Sequence, residues 1–412
     1  MSKPARPVHA AMDQFPVVDD CLVVGGTPLP ELARRVGRTP FYAYDRRLVS
    51  ERVELLRSHL PRRVHIHYAM KANPMAEVVA HLAGLVDGLD IASAGELRIA
   101  LEAGARPGTI SFAGPGKTDA DLEAALAAGI VVNLESEGEM ERLAAIASRR
   151  RTRARVNVRV NPDFDLKSSG MKMGGGPKPF GVDAERVPAL LHRIAALALD
   201  FQGFHIFSGA QNLRADAIAE AQRKSVELAV RLAQDAPGPV RILNIGGGLG
   251  IPYFPGDERL DVTLVATNLA AILQGLDSRL PEAQVVLELG RFLVGEAGIY
   301  VCRVIDRKIS RGHCFLVTDG GLHHHLAASG NFGQVIRKNY PVAVGNRVRG
   351  AKREIVSVVG PLCTPLDLLA DNMEMALAEV GDLIVVFQSG AYGLTASPTA
   401  FLSHPLPAEI LV

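Results

Sequence analysis

Along this 412-residue chain, hydrophobic positions fall at a spacing of two in several short stretches and at helical spacing between them. Strand-like runs recur near 64–70, 86–91, 109–113, 130–134, 154–160, 199–205, 240–245 and 284–289. Between most of them lie amphipathic stretches rich in alanine and leucine: 96–103, 120–128, 137–148, 184–196 and 215–234. Eight β-then-α units in series predict a (β/α)8 TIM barrel, because the alternation requires right-handed parallel crossovers and eight strands close on a filled interior. An open doubly wound sheet is the structural alternative. After Gly298 the pattern turns β-rich, with runs at 299–309, 314–318, 354–359 and 382–387, which predicts a second domain. Short apolar pieces between Val17 and Asp45, broken by Gly25-Gly26 and Pro28, have no place in the eight-unit count. They are expected to join the β-rich domain. The expected organisation is a loose leader over 1–16, N-terminal strands over 17–45, a barrel over 46–295 and a β-domain over 296–412. Within the barrel, the insert from Pro162 to Asp183 carries Gly174-Gly175-Gly176-Pro177 and reads as a mobile loop at the mouth.

Composition narrows the function classes. A formal net charge of +1 leaves no electrostatic footprint for nucleic acid or an anionic membrane. Cys21, Cys302, Cys314 and Cys363 show no CxxC spacing, so neither a disulfide framework nor a zinc site is suggested. No apolar run approaches the roughly 18 residues of a membrane span, and Met1 to Pro16 lacks a signal core. A cytoplasmic protein without a resident metal is the expectation.

Chemistry gathers at the carboxyl ends of the predicted strands, where barrels of this kind place it. In the stretch 64–74, Val64, Ile66, Tyr68 and Met70 alternate with His65, His67, Ala69 and Lys71, so Lys71 reads as the last residue of strand one, stopped by Asn73-Pro74. Partial desolvation there lowers an amine's pKa toward nucleophilicity. Strand two ends in Asp90 with Glu96 beyond it, strand six in His205 and Ser208, strand seven in Gly246-Gly247-Gly248, and strand eight in Glu288, Gly290 and Arg291. Three glycines in succession leave backbone N–H groups open to a phosphate, with Arg291 and Ser208 as further donors; a tight turn is the plainer reading. The spacing is not the dinucleotide fingerprint, whose third glycine would fall on Ile251. Glu288 ends the apolar run Val285-Val286-Leu287 and needs a partner, for which a protonated heteroaromatic nitrogen is suited. His205 is either a satisfied core histidine or a ring stacked on a planar group. An aldehyde-reactive lysine, a phosphate cradle and a buried carboxylate together describe pyridoxal 5′-phosphate.

The same residues carry a family resemblance. The blocks 68–73 (Tyr-Ala-Met-Lys-Ala-Asn), 90–93 with Glu96, 246–248, 288–291, 360–363 (Gly-Pro-Leu-Cys) and 390–393 (Gly-Ala-Tyr-Gly) resemble the signature of the ornithine/diaminopimelate/arginine decarboxylases. Those are pyridoxal-phosphate enzymes of fold type III, built from a barrel and a β-domain as in alanine racemase. The resemblance runs from about Phe41 to Phe401. It implies that Lys71 is the Schiff-base lysine and that His205 stacks on the ring. It further implies that Ser208, Gly246 to Gly248, Gly290, Arg291 and Tyr392 hold the phosphate. Glu288 would face the pyridine nitrogen, with Asp90 and Glu96 counted among the cofactor-binding residues. Cys363 matches a cysteine that, in the family, crosses a head-to-tail homodimer interface and protonates the α-carbon after carbon dioxide leaves. The implied activity is decarboxylation of an amino acid or aminoacyl derivative. A racemase on the same fold and a non-catalytic pyridoxal-phosphate-binding protein are the alternatives; Glu288 and the domain bearing Cys363 argue against them in turn.

The chain also departs from the family. Members acting on diamino acids usually carry an acid directly after the cysteine; here Thr364 follows, then Pro365 and Asp367. Phe207 replaces the glycine usual before the serine, and Phe401-Leu402-Ser403-His404-Pro405 replaces the usual Phe-Asn ending. The 363–367 block, the 320–340 stretch with Asn331 and Phe332, and the 403–412 tail are similar to the exosortase-A-associated pyridoxal-dependent decarboxylases. Those are akin to enzymes that act on carrier-protein-bound aminoacyl groups. Thr364, Asp367, Asn331 and Phe332 are accordingly candidate substrate contacts, and the substrate is either a free amino acid or one tethered to a carrier.

Three signals point elsewhere and are set aside. Gly114-Pro115-Gly116-Lys117-Thr118 imitates a P-loop, but the first glycine of that motif would fall on Ser111. His323-His324-His325 suggests a metal, yet three successive residues of regular structure do not converge on one point. Arg149-Arg150-Arg151 reads as a solvated helix end that favours the helix dipole.

Overall fold

The structure is a computed structural model describing residues 7–164, 171–172 and 174–412. The chain divides into two compact units, one comprising residues 52–250 and 260–292, the other the described parts of 1–51 with 251–259 and 293–412.

The first unit is a closed barrel. Its strands are β1 (Val64–Ala69), β2 (Gly88–Ile91), β3 (Ile110–Phe112), β4 (Val131–Leu134), β5 (Arg155–Asn161), β6 (Asp200–Ile206), β7 (Ile242–Gly247) and β8 (Gln284–Leu289). All neighbours pair in parallel, β8 against β1 and β4 against β5, so no edge remains open. The expected (β/α)8 barrel is therefore present and the open sheet is excluded. Helices follow most strands, and their ends obey local rules. Thr118 caps helix Asp119–Ala128 through a capping box with Asp121, which gives the P-loop-like segment its place: it is a helix entry. The three arginines at 149–151 end helix Glu137–Arg150. Arg151 takes the left-handed conformation at its C-cap, while Arg149 and Arg150 reach Glu123 at 3.5 and 3.3 Å.

In most barrels branched apolar side chains fill the interior. Here a polar chain crosses it. Asn157 Nδ2 donates to Asn133 Oδ1 (3.1 Å), Asn133 Nδ2 to Ser111 Oγ (3.2 Å), and the Ser111 hydroxyl to Asp90, whose Oδ1 also lies 3.4 Å from His67 Nδ1. The apolar core lies instead between strands and helices, where Ile66, Tyr68, Val156, Val158, Phe204 and Leu287 are fully buried.

In the second unit the thirteen-residue strand Gly298–Ser310 is the spine. Its first half pairs antiparallel with both Phe41–Tyr44 and Leu383–Val386, its second half with His313–Thr318. Phe41–Tyr44 pairs on its other side, in parallel, with Ala408–Leu411. Phe41–Tyr44 thus lies in the sheet of the second unit. Helix Leu29–Val36 was not expected there. Residues 8–15, expected as part of a loose leader, are held by side chains: Phe15 is buried with Leu22, Val24, Leu29 and Val385, and Arg259 pairs with Asp13 at 2.5 Å. Among the described residues, no helix is long and apolar enough to cross a membrane.

Candidate active site

Lys71 does not end β1. The strand stops at Ala69, and Met70–Ala72 forms a single 3-10 turn, closed by the Asn73 N–H on the Met70 carbonyl (3.0 Å). The Tyr68 hydroxyl, buried behind the strand, donates to the Asn73 carbonyl at 2.7 Å and fixes the turn. Gly290 lets β8 approach it closely, since a Cβ there would lie 2.9 Å from Ala72 Cβ.

The turn aims Lys71 at Glu288. Lys71 Nζ donates to Glu288 Oε1 at 3.3 Å, and His205 Nε2 lies 3.0 Å from Oε2. That second contact is an ion-pair approach off the hydrogen-bonding direction, so Oε2 and both nitrogens of the His205 ring lack a well-directed hydrogen bond among the described residues, although both side chains are almost fully buried. Burial pushes the Glu288 carboxyl up, but Lys71, His205 and Arg159 outweigh it and hold the group well below the usual carboxylate range. An ionised carboxylate inside a barrel with one oxygen unanswered is costly to maintain without a ligand donor.

Beside it, β7 runs into Gly246-Gly247-Gly248. A Cβ on Gly247 would drive into the Glu288 carbonyl oxygen, one on Gly246 would lie 2.8 Å from the Phe207 ring, and one on Gly248 would lie 2.7 Å from the Gly209 carbonyl oxygen. Gly247 and Gly248, with Ser208, Gly209, Asn212 and Gln222, line a crevice at the end of this strand. Phe207 presents its ring to Lys71, with Nζ 5.8 Å from the centroid.

The other expected site residues lie as follows. Asp90 lies in the barrel interior on His67 and Ser111, with its Oδ2 without a hydrogen bond among the described residues. Glu96 opens helix Ala94–Glu102, accepts the Ala92 N–H at 2.6 Å and senses Lys71 electrostatically; burial raises its pKa. Arg291 is half-buried directly after Gly290. In the second unit, Tyr392 takes a left-handed φ of 52° between Gly390 and Gly393. Cys363 is exposed on the turn after strand Arg353–Val359. Asn331 Nδ2 donates to the Leu366 carbonyl at 3.3 Å, which brings the Asn331-Phe332 segment to the turn that carries Thr364. Asp367 is held by backbone. Its two oxygens accept the N–H groups of Leu322 (2.6 Å) and Leu362 (2.8 Å), and side chains added at Gly321 or Gly360 would collide with it. It staples loops inside its own unit.

Residues 165–170 and 173 of the expected mouth loop lie outside the described residues. Its flanks return by strand pairing of 171–172 with 209–210 and of 182–183 with 160–161. The three histidines of 323–325 are buried, with His325 Nε2 2.9 Å from Ser389 Oγ and His324 Nε2 3.0 Å from the Pro405 carbonyl.

One part of the site escaped sequence reasoning. Arg159, buried on β5, pairs with Glu135 at 2.7 Å and lies over the Phe180 ring; Glu135 also accepts the N–H of Gly114 and of Gly181. Arg155, Asn157, Arg159 and Asn161 alternate along β5, and that alternation was the available signal.

Comparison with known proteins fits this geometry. Residues 46–295 match the model of the pyridoxal-dependent decarboxylase family, pyridoxal binding domain. The chain is 38% identical over 383 residues to the L-glutamyl-[BtrI acyl-carrier protein] decarboxylase of Niallia circulans, covering 90% of this chain and 88% of that one. It is 34% identical to the diaminopimelate decarboxylase of Aquifex aeolicus, covering 96% and 91%. Among solved structures, diaminopimelate decarboxylase from M. jannaschii in co-complex with L-lysine superposes with a TM-score of 0.86 at 25% identity, covering 97% of this chain and 92% of that one. The unanswered oxygen of Glu288, the bare His205 ring and the glycine cradle suit the cofactor of that family. The chain belongs to the pyridoxal-phosphate-dependent ornithine/diaminopimelate/arginine decarboxylase family.

Proposed function

We propose that Lys71 is the amine that holds the cofactor aldehyde, and that the chain releases the α-carboxylate of an amino acid whose side chain is uncharged or tethered to a carrier protein. The observation that supports this best is Glu288, a buried carboxylate 3.3 Å from Lys71 and 3.0 Å from His205 with one oxygen unanswered. Bound at this site, pyridoxal phosphate supplies an aldehyde that condenses with amines and an electron-poor ring that takes up the electron pair freed as carbon dioxide departs.

The protein's own groups do the rest. Glu288, whose ionised form His205 and Arg159 favour, would hold a proton on the pyridine nitrogen. The His205 ring would hold the cofactor ring in place. Ser208, Gly246 to Gly248, Gly290 and Arg291 would hold the phosphate, together with Tyr392. Glu96 adds negative charge near Lys71. Cys363 of the partner subunit, in a homodimer with shared sites, delivers its thiol proton to the α-carbon. A carrier tether has to run through the substrate's side chain, because the α-carboxylate must be free to leave. Thr364 in place of an acid, and the engagement of Asp367 with backbone, support a substrate without a distal ammonium.

Lys71→Ala tests the assignment. The variant is expected to lose turnover and the ability to be linked covalently to the cofactor by borohydride. Retention of both would refute the role of Lys71.

A further inference from the structure

The end of the barrel opposite Lys71 is hollow. A cavity of about 230 Å³ opens at the amino ends of the strands, lined by His65, His67, Thr109, Ser111, Asn157, Asn244 and their neighbours. Gly108, Ile242 and Gln284 belong both to this cavity and to a more open depression beside Arg155 and Arg241, so the floor communicates with solvent. Barrel floors are ordinarily packed with branched side chains; here Ile110, Val131, Ile242 and Val286 share the lining with glycine, hydroxyl, amide and imidazole groups.

Two features give the cavity a chemical preference. On its inner wall Asn157 is 1% exposed, donates to Asn133, and has its Oδ1 without a partner among the described residues. A buried carbonyl oxygen so placed calls for a donor from whatever fills the space. At the rim the uncommitted charge is positive. The Asp87 carboxylate is already engaged by Arg57 and by the Ile66 N–H, both at 2.7 Å. Among the described residues, Arg155 donates to the Gly129 carbonyl and the Gln202 amide oxygen, each at 3.4 Å, and meets no carboxylate. Arg106 lines the cavity, is exposed, and has no carboxylate within ion-pair reach among the described residues.

We propose that this floor is a second small-molecule site, taking a compact carboxylate that also carries a hydroxyl or ammonium donor: the carboxylate on Arg106, the donor on Asn157 Oδ1. A hydroxy acid and an amino acid share that chemistry.

The test is calorimetric titration of the cofactor-loaded protein after borohydride has fixed the cofactor on Lys71, which leaves the mouth occupied. The probes are L-malate, L-glutamate and succinate, which lacks the donor. One saturable site per chain is expected, with succinate about tenfold weaker or worse, and the stronger of malate and glutamate identifies the ligand class. Arg106→Ala and Gly108→Leu should each weaken binding by about tenfold while far-UV dichroism is unchanged, since both positions are exposed and a Cβ at Gly108 comes no nearer than 3.8 Å to Arg155. Absence of saturable binding by every probe, equal binding of succinate and malate, or binding that survives both variants would overturn the assignment. If the cofactor cannot be fixed on Lys71, the reading of the mouth fails, while the malate titration, which involves no amine, still decides the floor.

Discussion

Acid should weaken the second unit selectively, because three adjacent histidines are buried there uncharged. Burial holds His323 at about 3, His324 at about 4 and His325 at about 3, with neighbouring imidazoles adding to the effect at His323 and His324. Each folded value lies below the unfolded value of about 6.5, so between the two the unfolded chain binds protons that the folded chain refuses. Stability is then complete above pH 6.5 and falls as the pH drops toward 4. At pH 5 the loss is about 2 kcal/mol per histidine, or about 6 kcal/mol for the three taken independently, a large part of an ordinary domain's stability. His323 is the cleanest site to change, since neither ring nitrogen has a hydrogen-bond partner among the described residues. His323→Leu should leave stability at pH 7 within about 1.5 kcal/mol of the parent and shrink the difference between pH 7 and pH 5 by about 2 kcal/mol. Urea unfolding followed by tyrosine emission reads this unit: the chain has no tryptophan, and of its seven tyrosines only Tyr68 lies in the barrel. An unchanged pH difference in the variant would refute the reasoning.

Other perturbations have equally definite outcomes. Lys117 is buried and pairs with Glu139 at 2.9 Å, so Lys117→Met should destabilise the barrel by about 3 kcal/mol in thermal unfolding; adding Glu139→Leu should recover most of it. Thr118→Ala removes one half of a capping box and should cost about 1 kcal/mol in the same measurement. Gly247→Ala places a methyl group against the Glu288 carbonyl and should abolish tight cofactor binding, read by equilibrium dialysis, while the β-domain keeps its tyrosine signal.

The barrel was legible because each of its strands is a short apolar or alternating run with a helix-period stretch or turn beside it. The strands that escaped notice lack that contrast. Leu368–Ala376 is the last strand of its sheet path and carries Asp371, Asn372 and Glu374, so no clean alternation survives. Helix Leu29–Val36 was hidden by Pro28 and Pro30, which read as breakers although proline is tolerated in a first turn. At the site, the pattern located Lys71 and Glu288, but their meeting depends on the turn at Met70–Ala72, where Asn73 and Pro74 end the strand earlier than alternation implied. Asp367 looked available because it follows Cys363 closely; its burial against two backbone N–H groups is set by loops distant in sequence.

The most direct test of the central claim is carbon dioxide release by the cofactor-loaded protein, with Lys71→Ala as the blank, over free L- and D-amino and diamino acids and a glutamyl group linked to a carrier protein through its side chain. Release from the tethered substrate or from an amino acid lacking a distal ammonium, and none from the blank, is the expected result. Release as fast from the blank as from the parent protein, or turnover confined to diamino acids, would contradict it.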